Sequence, residues 1–252
     1  MESLNKIVSF LDSYLETGET PDICWNGLQF EGRESVSKIV FAVDAAYETF
    51  KKSVSLRADM IVVHHGHFWK SQNPSITGWA RERINILAES NVSLYACHLP
   101  LDRHREVGNN AAMLKLLGAE ISDEFMSYKG WNIGWVGDFK RAKKIDAISD
   151  VLKNQLGADC RVLPFGRDRI KRIAVCSGGG GYDGFYEALD KGVDLYITGD
   201  SAEVYYTAMD AGINVIFAGH HATETTGLRA LQAKIKSRFK VETAFLDMPT
   251  GL

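Results

Sequence analysis

The strongest constraint on the fold is a pattern of side chains that occurs twice along the chain. A tyrosine, a phenylalanine and an aspartate recur at matching spacing in both halves, as Tyr47, Phe50 and Asp59 and then as Tyr182, Phe185 and Asp194. In each half an apolar run, at 38–42 or 172–176, precedes these residues, and a second run, at 60–63 or 195–198, follows them. The pattern predicts an internal duplication, with one α/β repeat at 1–128 and another at 129–252.

Apolar runs typical of buried strands alternate with helical patterns along the chain. Strands are expected near 38–43, 60–63, 92–97, 131–137, 172–176, 195–198, 213–218 and 241–246. Helices are expected at the start of the chain and near 45–55, 78–90, 107–117, 143–156, 183–191, 202–211 and 225–238. This alternation is typical of α/β proteins with parallel or mixed sheets. The weakest pattern, at 118–142, is interpreted as the bridge between the repeats.

Composition excludes several classes of protein. The net charge of −3 gives no general attraction to polyanions, so binding of nucleic acid is not expected. The four cysteines form no C-x-x-C pair, which argues against a disulfide framework or a zinc ribbon. No signal peptide and no membrane span is recognisable, so we expect a soluble, cytoplasmic protein without a membrane partner.

Histidines follow three of the expected strands, and two of them have an acidic residue four positions later. These residues are His64 and His65, His98 with Asp102, and His220 with Glu224. Ligand sites in open α/β sheets form beyond the carboxyl ends of strands, so the three groups are expected to meet in a cleft between the repeats. Because imidazole and carboxylate groups together suit borderline divalent cations, the sequence predicts a metal site there.

The roles of individual histidines leave alternatives open. His64 and His65 point to opposite faces if the strand continues through them, so both bind metal only if the chain turns or if two ions lie on either side. His67 and His104 are expected to face substrate or the surface, and His221 is expected to support its neighbour. The second repeat has Gly199-Asp200 in place of His64-His65, so the site should be asymmetric.

Several motifs in matching order resemble one known family. They are WNGLQ at 25–29, HHGHFW at 64–69, HLPLD at 98–102 followed by Gly108-Asn109-Asn110, ITGD at 197–200 and GHHATE at 219–224. Together they are similar to the GTP cyclohydrolase I type 2 homologues, also called the Nif-three-like family, over essentially the whole chain. The resemblance implies two similar α/β halves, a dinuclear divalent-metal site and a toroidal homohexamer.

Carried over by motif, the resemblance implies a defined set of metal ligands. They are His64, His65, Asp102, His220 and Glu224. Glu224 would bridge two ions, and His98 would be a near neighbour of the centre and not a principal ligand. Zn, Fe, Mn and Ni all fit such nitrogen and oxygen ligands, and the sequence does not choose among them.

The resemblance implies hydrolysis of GTP or of a related nucleotide or heterocycle by metal-activated water, with no catalytic side chain assigned. Two alternatives stay open: a metal-dependent regulatory or binding protein, and a metal-handling protein without turnover. Two departures from the family concern the mouth of the site and proton transfer. Many relatives have HHP where this chain has His65-Gly66-His67, and many have a histidine in the helix where this chain has Tyr205-Tyr206. Longer relatives carry an inserted domain, for which 252 residues leave no room.

Two weaker signals have both a functional and a structural interpretation. The glycine-rich segment at 177–181 lies between an expected strand and an expected helix, so it is either a phosphate cradle or a flexible turn. It lacks the lysine of a P-loop. The basic runs at 140–144 and 167–172 are either solvated faces or sites for a triphosphate or a single-stranded nucleic acid.

Overall fold

The computed structural model describes residues 1–251, which form thirteen strands and nine helices. In chain order these are β1 (Glu2–Ser3), α1 (Leu4–Leu15), β2 (Gly27–Phe30), β3 (Ser35–Val36), β4 (Lys38–Asp44), α2 (Tyr47–Ser55), β5 (Met60–His65), α3 (Gly78–Ser90), β6 (Ser93–Ala96), α4 (Leu99–Arg103), α5 (Asn109–Leu117), β7 (Ala119–Tyr128), β8 (Trp131–Lys144), α6 (Ile145–Leu156), β9 (Arg161–Pro164), β10 (Arg169–Cys176), α7 (Gly181–Asp190), β11 (Leu195–Thr198), α8 (Tyr205–Ala211), β12 (Asn214–Phe217), α9 (His220–Arg238) and β13 (Glu242–Phe245). None of the helices in this part of the chain is long and apolar enough to cross a membrane.

The first compact unit comprises Met1–Leu101 and Leu228–Met248. Its five-stranded sheet has the order β13-β4-β5-β6-β2, in which β2 alone is antiparallel to its neighbour. Nearly every residue of β4, β5 and β6 is buried. Parallel strands that are covered on both faces need apolar side chains on both, which explains the continuous apolar runs.

The second compact unit comprises Asp102–Gly227 and the described residues from Pro249. Its six-stranded sheet has the order β7-β8-β10-β11-β12-β9, with β10, β11 and β12 parallel and the other three strands antiparallel to their neighbours. Successive residues of β10 belong to different apolar clusters, Ile173 and Val175 to one and Ala174 and Cys176 to the other. Because side chains alternate across a strand, this sheet has a core on each face.

One carboxylate ties strands together in each unit. In the first, Asp59 accepts hydrogen bonds from the backbone N–H groups of Ser37 and Lys38, at 2.7 and 3.0 Å. In the second, Asp194 accepts the equivalent bonds from Lys171 and Arg172, at 2.8 and 3.0 Å. An arginine pairs with each carboxylate: Arg33 lies 2.9 Å from Asp59, and Arg167 lies 3.8 Å from Asp194.

The eight strands expected from the sequence are all present, as β4, β5, β6, β8, β10, β11, β12 and β13. The expected helices are also present, including α1 at the start of the chain, whose residues Leu4, Ile7, Leu11 and Leu15 form its buried stripe. The α/β class with mixed sheets is therefore confirmed. The strands β2, β7 and β9 were not expected.

The interpretation of 118–142 as a bridge between the repeats is wrong. This segment forms the antiparallel hairpin of β7 and β8, which is joined through Lys129 and Gly130, both with positive φ. β8 pairs in turn with β10, so the hairpin is part of the six-stranded sheet.

The compact units also differ from the predicted repeats at 1–128 and 129–252. The hairpin of β7 and β8 adds residues from before 129 to the second unit. β13 pairs in parallel with β4 and adds the residues around 242–245 to the first unit. Both differences arise from strand pairing between residues that are distant in sequence.

Candidate metal centre

Three histidine rings of the first unit lie together at the carboxyl ends of neighbouring strands. β5 ends at His65, and His98 follows β6 by two residues. The ring centroids of His64 and His65 are 4.9 Å apart, and that of His98 lies 5.0 Å from His64 and 5.6 Å from His65. One nitrogen from each ring lies within 4.8 Å of the others. The two neighbouring histidines therefore share one group, which also includes His98.

Each of these rings is held through Nδ1 by an oxygen that accepts a hydrogen bond. Nδ1 of His64 lies 2.9 Å from the carbonyl oxygen of Cys97. Nδ1 of His65 lies 2.8 Å from Asp44, and Nδ1 of His98 lies 2.9 Å from Asp22. Because carbonyl and ionised carboxylate oxygens only accept, Nδ1 carries the proton and Nε2 offers its lone pair. This is the arrangement of histidines that bind metal ions.

Asp22 is a buried carboxylate that organises the segment before His98. It accepts hydrogen bonds from the side chain of Asn26 and from the backbone N–H groups of Cys24 and Leu99, each at 2.9 Å. Burial alone would raise the pKa of Asp22, but the hydrogen bond and positive charge of His98, with those N–H donors, lower it to about 2. Asp22 is therefore ionised and fixes the orientation of His98.

The sequence analysis missed Asp22 and Asp44. Asp44 ends β4 directly opposite His65 on the adjacent parallel strand, so its position at a strand end could have identified it. Asp22 lies in no strand or helix and reaches His98 from 76 residues away, so the sequence carried no local signal for it.

In the second unit, His220 and Glu224 lie one turn apart at the start of α9. Nε2 of His220 is 3.1 Å from Oε1 of the buried Glu224, and its Nδ1 is 2.9 Å from Oδ1 of Asp200. The hydrogen bond to Glu224 contributes most to raising the pKa of His220 to about 9; burial opposes the shift, and the charges of Glu224 and Asp200 add to it. Nε2 of His220 and Oε1 of Glu224 share a proton here, and a divalent cation that displaced this proton could bind to both atoms.

Asp102, the remaining predicted ligand, is buried near the end of β10. Its Oδ1 accepts hydrogen bonds from Asn109 at 2.8 Å and from Ser177 at 2.9 Å. Burial raises the pKa of the Cys176 thiol, and the charges of Asp102 and Glu224 raise it further. Both carboxylates are thus close enough to the end of this strand to act on the same thiol.

The glycine-rich segment at 177–181 is packed against Glu224, and the N–H groups of two of its glycines are bonded within the chain. The N–H groups of Gly178 and Gly180 donate to the hydroxyl oxygens of Thr223 and Thr198, at 2.9 and 3.1 Å. A Cβ atom at Gly178 would collide with Oε1 of Glu224 and would lie 3.1 Å from Nε2 of His220. A glycine is needed here because the backbone passes directly beside these two side chains, and its φ is +60°.

The other histidines lie outside these groups. Nδ1 of His104 accepts the backbone N–H groups of Glu106 and Val107, both at 3.2 Å, so the ring stabilises a turn. His67 is buried against the ring of Trp79, with centroids 5.9 Å apart. His221 is buried beside His220 on α9.

The basic runs have structural partners. Lys171 donates to the carbonyl oxygens of Phe139 and Lys140, and Lys140 pairs with Glu120 at 2.9 Å. Arg172 pairs with Asp138 at 3.0 Å. These contacts stabilise the antiparallel part of the sheet.

Comparison with known proteins extends the similarity to the whole chain. The sequence model of the Duf34/NIF3 family (NGG1p interacting factor 3) matches residues 2–251. A protein of Archaeoglobus fulgidus named "GTP cyclohydrolase 1 type 2 homolog" is 44% identical over 251 residues, which are 99% of this chain and 100% of that protein. A Pyrococcus abyssi protein of the same name is 45% identical over 249 residues, 98% of each chain.

A solved structure shares the fold as well as the sequence. The crystal structure of a Thermus thermophilus protein superposes with a TM-score of 0.87 at 36% identity, covering 100% of both chains. The family match and this degree of identity agree with the histidine and carboxylate motifs described above. The chain belongs to the Duf34/NIF3 family.

Proposed function

We propose that the chain is a divalent-metal-dependent hydrolase of GTP or of a related nucleotide or heterocycle. Its dinuclear centre would use the ligand set that the family resemblance implies, namely His64, His65, Asp102, His220 and Glu224. The name "GTP cyclohydrolase 1 type 2 homolog" carried by its relatives motivates the choice of substrate.

One observation carries the metal-binding part of the proposal. His64 and His65 each have Nδ1 within 2.9 Å of an oxygen acceptor, so each ring presents Nε2 to a cation, and Nε2 of His220 would bind a cation in place of the proton that it shares with Glu224. Oriented imidazoles together with buried carboxylates form a donor set for Zn, Fe, Mn or Ni. A core of this size folds without metal, so the oriented histidines are not needed to hold the fold together.

Two divalent ions would lower the pKa of a bound water and polarise an electrophile, which is the chemistry that hydrolysis requires. The side chains around them have separate tasks in this proposal. Asp102 and Glu224 would hold the ions and contribute negative charge, and the family resemblance implies that Glu224 would bind both. His98 lies beside the centre and is oriented by Asp22, whose Oδ1 lies 2.9 Å from its Nδ1.

We also propose that the two halves are copies of one ancestral unit. The matching bonds of Asp59 and Asp194 support this, as do the strands β4, β5 and β6 in one unit and β10, β11 and β12 in the other, each parallel and joined by helices. Both sheets also have an antiparallel strand from before this core beside its third strand, β2 in one and β9 in the other.

The proposal is tested by measuring metal content and turnover together. Metal-replete protein should contain close to two divalent ions per chain and release formate from GTP, and a chelator should stop the reaction. Glu224→Gln should reduce the occupancy of both ions and abolish turnover without changing the circular dichroism spectrum. Glu203→Gln makes the same chemical change at an exposed position and should change neither the metal content nor the turnover.

Each outcome has a defined meaning. One ion or none in the replete protein would overturn the dinuclear centre. Retention of two tightly bound ions by Glu224→Gln would exclude the bridging role. If metal binds but no nucleotide is consumed, the hydrolase is excluded and the regulatory and metal-handling alternatives remain. A homohexamer is also proposed, on the family resemblance alone, and native mass spectrometry tests it.

A further inference from the structure

A cavity of about 610 Å³ lies within the first unit, beside its histidine group. Cavities of this size are typical of sites for small molecules. Its lining includes the indole rings of Trp25, Trp69 and Trp79 and the side chain of His67. The ring of Trp69 lies 5.2 Å from that of His98 and 6.0 Å from that of His65, so the cavity wall contacts the histidine group directly.

Two of the three tryptophans in this cavity are far more exposed than is usual for so large an apolar side chain. Trp25 is 56% exposed and Trp79 is 64% exposed. Burial of an indole ring stabilises a protein or a complex strongly, so exposed indoles that line a concave surface are typical of binding sites. Their flat faces suit a planar ring.

Cationic groups accompany both exposed indoles. Nζ of Lys70 lies 5.2 Å from the ring centroid of Trp25, and the guanidinium carbon of Arg83 lies 4.9 Å from that of Trp79. A cation beside an aromatic wall attracts an electron-rich ring or a substituent with negative charge. This favours a ligand that is planar and neutral or anionic over a cationic one.

His67, which lines the cavity, carries a buried polar atom. The side chain is only 5% exposed, and among the described residues no hydrogen-bond partner lies within reach of its Nδ1 atom. A buried polar atom without a partner is costly, so a ligand would gain affinity by bonding to Nδ1 once the His67 ring turns this atom towards the cavity. Gln72 and Asn73, also in the lining, add amide groups that can recognise the edge of a heterocycle.

We propose that this cavity binds the nitrogen heterocycle of the substrate, with its face against the indole rings of Trp25 and Trp79 and its edge bonded to His67. This inference rests on the proposed hydrolase function. It identifies the nitrogen heterocycle as the part of the substrate that the first unit binds. Trp69 lies in the cavity wall and its ring contacts those of His65 and His98, so the heterocycle would lie beside these two histidines.

Calorimetry on the full chain in the presence of a chelator tests this without any turnover. The probes are guanosine, adenosine and cytidine, with ribose 5-phosphate as the control for recognition of phosphate. At least one nucleoside should bind, and Trp79→Leu should weaken that binding about tenfold because an aromatic stacking surface is lost. His67→Phe keeps the shape of the ring and should weaken it several-fold.

Trp131→Leu is the matched control. Trp131 also packs against an arginine, with Arg103 at 4.3 Å, but it does not line the cavity. Binding equal to that of the unmodified chain is expected for this variant. Circular dichroism and metal content should be unchanged in all three variants.

The proposal is overturned if no nucleoside binds, if Trp79→Leu binds as tightly as Trp131→Leu, or if only ribose 5-phosphate binds. Binding of a nucleoside by a chain that never hydrolyses a nucleotide would leave the cavity assignment in place and remove the hydrolase. Turnover of GTP with a KM unaffected by Trp79→Leu would support the hydrolase and remove the cavity assignment.

Discussion

Oδ1 of Asp22 lies 2.9 Å from Nδ1 of His98, and both oxygens of this carboxylate are used by donors within the first unit. The side chain of Asp22 is almost completely buried, whereas that of His98 is partly exposed. The carboxylate is therefore the fixed partner, and the imidazole takes its orientation from it.

The first prediction concerns the stability that Asp22 contributes. Its pKa is lowered from 3.8 to about 2, so the contribution is complete above pH 4 and is lost as the pH falls towards 2. Asp22→Asn should therefore lower the free energy of unfolding of the metal-free protein by about 2 kcal/mol at pH 7. Urea titrations at pH 7, 5, 4 and 3 should show this difference shrinking below pH 4, and a difference that stays constant with pH would contradict the explanation. Asp150→Asn, an exposed change, should have little effect at any pH.

The second prediction separates backbone strain from the crowding of Glu224. Gly178 and Gly181 both have positive φ, +60° and +54°, so alanine at either position should cost about 1 kcal/mol of stability. Only at Gly178 would the added methyl group meet Glu224 and His220; at Gly181 nothing lies within 4 Å. Gly178→Ala should thus weaken metal binding about tenfold in a chelator competition, while Gly181→Ala should not. Equal metal affinity in the two variants would show that Glu224 moves aside without consequence.

The third prediction tests whether Asp59 and Asp194, which tie strands together in the two units, have the same role. Asp59→Asn and Asp194→Asn each leave two backbone N–H groups facing an amide that carries its own N–H donors. Each should lower the free energy of unfolding by about 1–3 kcal/mol. The loss at Asp59 should be the larger, because its arginine is closer, at 2.9 Å against 3.8 Å. A loss at only one of the two positions in urea unfolding would argue against equivalent roles.

The fourth prediction concerns thiol reactivity. Burial raises the pKa of Cys24 to about 11 and also raises that of Cys176, and Cys97 is buried as well, so all three thiols are shielded from a reagent at pH 8. Cys160 is partly exposed, although burial raises its pKa as well. A thiol reagent at pH 8 should modify one cysteine per folded chain, and faster as the pH rises, because the thiolate is the reactive form. Cys160→Ser should remove the reaction; modification of two or more thiols before unfolding would contradict the burial.

The sequence predicted those elements whose own pattern of apolar and polar residues shows which faces are buried. β4, β5 and β6 are covered on both faces, so their apolar runs are continuous. The strands β2 and β9 lie at sheet edges, are short and partly exposed, and include Gly27 and Pro164, so no run distinguishes them. β7 carries charged residues on its exposed positions and was interpreted as a connection for that reason.

The same distinction applies to the candidate site. His64, His65 and His98 could be predicted because strand ends in an α/β sheet collect functional groups. Their partners Asp22 and Asp44 are separated from them by 76 and 21 residues, and only the folded chain brings them within hydrogen-bond distance. The cavity near Trp79 could not be predicted from the sequence either, because a helical pattern does not show which aromatic rings remain exposed.

The pairing of β13 with β4 sets the order in which the chain can fold during synthesis. The second unit is nearly continuous, Asp102–Gly227, whereas the first also requires Leu228–Met248, which are synthesised after it. The second unit can therefore fold first, while the edge of β4 stays unpaired until β13 has been synthesised. In nascent chains stalled just after residue 227 has emerged, protease should spare Asp102–Gly227 and still cleave within Met1–Leu101. Until β13 has emerged, His64 and His65 belong to a sheet that lacks one of its edge strands.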